Sequence, residues 1–226
     1  MSEPATPHDV SAPAARPAPR TAEVAAYLAA RMCHDFISPA SAIVSGLDLL
    51  EDPSAQDMRE EAMGLIAGSA RKLADLLAFT RVAFGASASA VVFDPRELKK
   101  LCDGLFAHMR AELDWRVEAD SLTKPSARTL VNLVQLAGAA LPTGGVARVQ
   151  AAQRNGSVAI AVESLSPKAR LRPEVLAGLR GEPMGDGLHG HWVQAYYVHL
   201  FVGDAGGRVA AEASEEKVTF AATLPA

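Results

Sequence analysis

The chain has 226 residues, of which 49% are hydrophobic and 21% charged, with a formal net charge of −4. That length supports one large or two modest domains with proper cores, and the acidic balance offers no basic footprint for nucleic acid. No run approaches the roughly 18 apolar residues of a membrane span.

Two cysteines, Cys33 and Cys102, lack partners at metal-ligand spacing, which predicts a reduced, cytoplasmic protein. Residues 1–21 are rich in Ala and Pro and have no apolar stretch of the secretory kind, so they predict a disordered tail. Residues 22–51 then carry a helical pattern. Ala29, Cys33, Phe36, Ala40, Ile43, Leu47 and Leu50 step alternately by four and three, as along the seam of a helical bundle. Asp52-Pro53 stops that helix, and Ser54 with Asp57 resembles a capping box opening a second one. The second helix runs to about Phe84 and carries Ala62, Ile66, Ser69, Leu73, Leu76 and Thr80, with Leu65 and Leu77 beside them. A short connection makes the two helices antiparallel. Two helices cannot bury both stripes, so a homodimer forming a four-helix bundle is expected; the alternative is cover supplied by the rest of the chain.

Residues 85–90 are small and polar and suggest a linker, and residues 91–226 read as mixed α and β. Helices are expected over 95–111, 124–141 and 191–203, with a strand at 115–118. Residues 146–152 and 158–163 form an expected hairpin around Asn155-Gly156, and strands at 208–213 and 218–224 close the domain. The fold class is α+β.

The string His34-Asp35-Phe36-Ile37-Ser38-Pro39 resembles the phosphoacceptor box of two-component signalling proteins. Imidazole can hold a phosphoryl group as a phosphoramidate and pass it on. The helical hairpin, 22–84, resembles the dimerisation and phosphotransfer domain of sensor histidine kinases, and 91–226 resembles their ATP-binding domain, an α/β sandwich. Asn132-Leu133-Val134-Gln135-Leu136-Ala137 with Pro142-Thr143-Gly144-Gly145 looks like the kinase N-box helix and its turn. Gly187-Leu188-His189-Gly190, Gly206-Gly207-Arg208, Phe220 and Leu224-Pro225 look like the last glycine box and terminal hairpin. The departures are as informative. Leu136 stands where kinases of this kind place a magnesium-holding asparagine, and it offers no oxygen to a hard cation. No Asp-x-Gly-x-Gly segment follows Glu163, and the glycine-rich lid is nearly absent between Arg180 and Gly187. The site is therefore expected to be degenerate, with no nucleotide cofactor.

A chain of this arrangement resembles the ChpT-type histidine phosphotransferases of alphaproteobacteria, most closely over residues 33–51. The resemblance implies that His34 accepts a phosphoryl group from the receiver of a hybrid histidine kinase (CckA-type) and passes it to response-regulator receivers (CtrA and CpdR type). Any Mg²⁺ would come with the receiver. Asp35 would bond the second ring nitrogen and fix the tautomer. A divergent ATP-dependent kinase and a non-catalytic dimeric adaptor are the competing functions.

Around His34, Ser38, Ser41 and Ser45 continue at steps of four, three and four, keeping one helix face flat for an approaching protein, with Ile37 at its edge. Pro39 removes a hydrogen bond from the helix interior. Arg31, one turn before His34, is a candidate to meet phosphoryl charge. Lys168, Arg170 and Arg172 alternate with Ala169 and Leu171 and, if extended, share one side as a docking surface for an acidic receiver. His189 and His191 lie near Trp192 without an evident third metal ligand.

Overall fold

The computed structural model describes residues 21–85, 91–183 and 189–226. The expected tail up to residue 20, the linker residues 86–90 and Gly187-Leu188 lie outside them. Helices α1 (Thr21–Glu51) and α2 (Arg59–Ala83) form the expected hairpin. Its turn differs from the expectation. Asp52 Oδ1 accepts from both the Ser54 amide (2.8 Å) and the Ser54 hydroxyl (2.7 Å), which holds the Asp52 carboxyl below its usual range. Ser54 is thereby used in a local turn, a 3-10 segment (Gln56–Met58) follows, and α2 begins without a side-chain cap.

Buried Gly46 is where α1 runs tight against α2, since a Cβ there would lie 2.6 Å from Ile66 Cγ1 and 3.2 Å from the Ala62 carbonyl oxygen. The α2 stripe faces inward, with Ala62 buried and Ile66, Leu73 and Leu76 half-buried. The α1 seam divides. Phe36, Ile43 and Leu50 are half-buried, whereas Ala29, Cys33 and Leu47 are exposed. Ile37, Val44, Met63, Leu65 and Leu77 are also exposed, so one chain leaves much of the hairpin's apolar surface uncovered.

The remainder is a five-stranded sheet with helices on one face. Its strands are β2 (Ala111–Val117), β4 (Gly145–Arg154), β5 (Ser157–Leu165), β6 (Arg208–Ala213) and β7 (Lys217–Pro225), in the order β2-β4-β5-β7-β6. Only β2 and β4 run parallel. Two short strands, β1 (Val92–Phe93) and β3 (Leu122–Thr123), pair separately. Asn155 and Gly156, both at positive φ, make the expected β4–β5 turn. The inner face buries alternate residues such as Val149, Ile160, Val162, Phe220 and Leu224. On the outer face Asp114 binds Arg116 and Arg148, and Glu163 binds Arg148 and Lys217, so charges alternate across β2, β4, β5 and β7. Those guanidinium bonds hold the Asp114 carboxyl below its usual range.

Helices α3 (Pro95–Phe106), α4 (Lys124–Ala139), α5 (Pro173–Leu179) and α6 (His189–Asp204) complete the domain. The expected helix over 95–111 stops early because β2 recruits Ala111 into the sheet. Several contacts join hairpin to sandwich, among them a pair between His108 Nε2 and Asp75 Oδ2 of α2 (2.9 Å). Phe79 and Ala83 of α2 are buried in the main core, and Asn132 Nδ2 donates to the carbonyls of Ala83 (3.0 Å) and Arg128 (2.9 Å). Arg128 donates to the Phe84 carbonyl (3.3 Å) and to Tyr197, with its guanidinium over the Tyr197 and Phe201 rings. The last carbonyls of α2, which have no partner within their own helix, are satisfied in this way. At the same open end of the hairpin, Val24 and Leu28 of α1 pack with Trp192, Val193 and Tyr196 of α6.

Replacing Asn132 by Leu is expected to destabilise the protein by about 1–3 kcal/mol, because a buried carbonyl loses its donor. Urea denaturation measures this; an unchanged midpoint would show that the cap contributes nothing.

Candidate functional site

His34 projects from the middle of α1 with its side chain 86% exposed. One position on, Asp35 turns back so that its Oδ1 lies 3.4 Å from His34 Nδ1, at the outer edge of hydrogen-bonding distance. With the ring proton on Nδ1, toward that carboxylate, the lone pair of Nε2 would face solvent. The other carboxylate oxygen, Oδ2, accepts from Arg31 Nε at 3.0 Å. Arg31 is only 17% exposed at its side chain and donates through Nη1 to the Gly190 carbonyl at the start of α6. Its guanidinium is thus engaged inside the molecule instead of projecting outward toward a partner.

A cleft of about 350 Å³ opens beside the imidazole, bounded by Tyr27, Arg31, His34 and Asp35 on α1 and by Gly190 and His191 on α6. His191 is half-buried, and that burial, reinforced by Arg172 and Arg31, pushes its pKa below the usual histidine value of 6.5; Glu174 and Asp35 oppose the shift. Sequence reasoning noted His191 only as an incomplete metal ligand. Its nearness to His34 depends on α6 crossing α1, which no local pattern reports. Among the described residues, no group of three His, Cys, Asp or Glu side chains is placed to hold a metal.

Ser38, Ser41 and Ser45 are all exposed on α1, and their spacing puts them on the His34 face, with Ile37 62% exposed alongside. The basic segment is exposed as expected, with Ala169 and Leu171 turned against the core. It is not a strand, however. The Lys168 amide donates to Ser166 Oγ, the Ala169 amide to the Ser166 carbonyl, and the Arg170 amide to the Ala140 carbonyl (2.9 Å), folding the chain into a turn. Arg170 and Arg172 thereby join Arg31 and His191 around a small gap at the end of α4, where Arg31 of α1 meets α6, and Lys168 does not.

In the segment that resembles an N-box, Asn132 is buried and bonded as described above. Gln194 of α6 donates to Gln135 Oε1 (2.6 Å) and Asn132 Oδ1 (3.3 Å), and Leu136 is buried. The polar side chains of this helix therefore serve contacts within the fold. Cys33 and Cys102 are free, and burial pushes the Cys102 thiol far above the range where it ionises.

His34 thus stands on an exposed helical face with a carboxylate beside it, mounted on an α+β frame. The family model for the histidine phosphotransferase C-terminal domain matches residues 95–217. The protein phosphotransferase ChpT of Brucella abortus (strain 2308) is 32% identical over 201 residues, covering 88% of this chain and 95% of that one. A solved bacterial phosphotransferase structure matches with a TM-score of 0.81 and 29% identity, over 92% of this chain and all of that one. The chain belongs to the ChpT-type histidine phosphotransferases. The expected architecture, a helical hairpin followed by an α/β sandwich, is the one it adopts.

Because folding lowers the His191 pKa, the unfolded chain binds more protons than the native state as pH falls through 6.5. Stability is fully present above that value, declines below it, and levels off once the folded ring itself protonates. Urea denaturation at about pH 7.5 and about pH 5.5 is expected to show a smaller decline for His191→Gln than for the wild type. Equal declines would remove His191 as a contributor.

Proposed function

We propose that His34 is the phosphoacceptor of a multistep phosphorelay, taking its phosphoryl group from the receiver domain of a hybrid histidine kinase (CckA-type) and giving it to response-regulator receivers of the CtrA and CpdR type. The observation that carries this reading is an exposed imidazole with Nδ1 toward Asp35 and Nε2 toward solvent, in a chain of this family. In the forward step Nε2 attacks the phosphorus of the receiver's aspartyl phosphate. The N–P bond forms, the acyl P–O bond breaks, and the aspartate leaves as a carboxylate. The Nδ1 proton stays on the ring, and Asp35 balances the positive charge that the ring acquires. Transfer to the next receiver reverses these changes. Because such transfer is chiefly positioning and charge stabilisation, Mg²⁺ and lysine brought by the receiver suffice.

Ile37, Ser38, Ser41 and Ser45 form the face on which the receiver seats. Arg170 and Arg172, with Lys168 at the margin, supply cations for an acidic partner. The exposed apolar groups of the hairpin support pairing of two copies into a four-helix bundle, since the sandwich covers the open end of the hairpin, where α1 begins and α2 finishes, and leaves these groups bare. No ATP is needed in this scheme; Leu136 offers no metal ligand, and the Asn132 amide is already bonded to Ala83 and Arg128. No helix among the described residues is long and apolar enough to cross a membrane, and with its free cysteines the protein fits the cytoplasm, where its receivers would be.

Incubation with a phosphorylated receiver is expected to label the wild type and leave His34→Ala unlabelled while that variant still binds the receiver. Label on His34→Ala would overturn the assignment. Reversing charge at Arg170 and Arg172 together is expected to weaken receiver binding by about tenfold or more, with a steep dependence on salt. Unchanged binding would remove them from the docking surface.

A further inference from the structure

We propose that Arg31 is a positioning residue through which the C-terminal domain sets the orientation of Asp35 and, with it, the tautomer of His34. This rests on His34 being the phosphoacceptor.

An Arg and an Asp four residues apart on a helix ordinarily make a solvent-exposed pair of little consequence. Arg31 differs in two respects. Its side chain is largely covered, and it makes a second bond to a carbonyl 159 residues away, at Gly190 on α6. A planar guanidinium donates in two fixed directions at once, Nε to Asp35 Oδ2 and Nη1 to Gly190. The two oxygens of Asp35 consequently have separate tasks, with Oδ2 tied to Arg31 and Oδ1 facing His34 Nδ1. The terminal torsion of a carboxylate is soft, so without Arg31 the group would rotate toward water and the ring proton would distribute over both nitrogens. A proton on Nε2 removes the lone pair that attacks phosphorus. Gly190 is part of the same device, because a Cβ there would sit 3.3 Å from Arg31 Cδ, so the Arg31 stem would have to shift, and a branched side chain would press it further. The reactive nitrogen on the hairpin is in this way oriented by a chain of contacts that begins in the sandwich.

The test uses the full-length protein with ¹⁵N-labelled histidine. Nuclear magnetic resonance reads the His34 tautomer without a partner, and phosphotransfer from a labelled receiver is followed separately. The wild type is expected to be mainly protonated at Nδ1. Arg31→Gln should populate both tautomers and slow transfer by about tenfold, with receiver affinity unchanged when measured in a His34→Ala background. Arg31→Lys keeps the charge but not the fork and should fall between. Gly190→Val, which touches neither Asp35 nor His34, should shift the tautomer in the same direction. Adding Arg31→Gln to Asp35→Asn should cost nothing more, because both act through one contact. A folded Arg31→Gln protein with wild-type tautomer and rate would overturn the proposal, as would a loss of rate matched by a loss of receiver affinity. If Arg31→Gln does not fold, a wild-type tautomer in both Arg31→Lys and Gly190→Val overturns it instead. Failure of the phosphoacceptor assignment is distinguishable, since it shows as absence of label on wild-type His34, whatever the tautomer.

Discussion

The capture of the α2 C-terminus by α4 is the contact on which the rest of the arrangement depends. Asn132 and Arg128 bind the final carbonyls of α2, Ala83 and Phe84, where the helix can no longer satisfy them itself. With Phe79 and Ala83 sealed into the sandwich core beside that cap, the direction of α2 is set, and α1 follows because Gly46 allows it close contact with α2. The result places α6 against the N-terminal half of α1, one turn from His34. A hairpin hinged freely at residues 85–90 would have no reason to keep Gly190 within reach of Arg31.

Helix α1 then has three sides with different obligations. One packs on α2, and a second meets α6 through Val24, Leu28 and Arg31. The third carries Cys33, Ile37, Val44 and Leu47 beside the histidine–serine line and remains open to solvent. This division explains why the seam read from spacing is only half buried. A period of 3.5 marks where apolar groups recur but not which neighbour covers them. The N-box resemblance has a similar outcome, because Asn132 and Gln135 keep their polar character while α2 and α6 take up their hydrogen bonds.

Much of the fold was legible because it rests on local rules. The hairpin, the Asn155-Gly156 turn, the helix over Asn132 and the closing strands all follow from hydrophobic period and turn chemistry. The α2 start was misread because Asp52 competes for the Ser54 hydroxyl that a capping box would use. Helix α5 was missed, being seven residues without sustained periodicity. The basic segment gave the right exposure and the wrong conformation, since burial of Ala169 and Leu171 needs only alternation, while the turn depends on a distant carbonyl at Ala140.

At the candidate site the groups themselves are local in the chain: an imidazole, a neighbouring carboxylate, and a run of small hydroxyls at helical spacing. Helical geometry is a short-range property, so their shared face could be read without coordinates. The tertiary packing is what turns Arg31 inward onto Gly190, sets His191 beside the His34 cleft, and brings Arg172 to the adjoining gap that His191 also lines. These contacts join residues more than a hundred positions apart, and their formation depends on how two packed units meet, which no window along the chain contains.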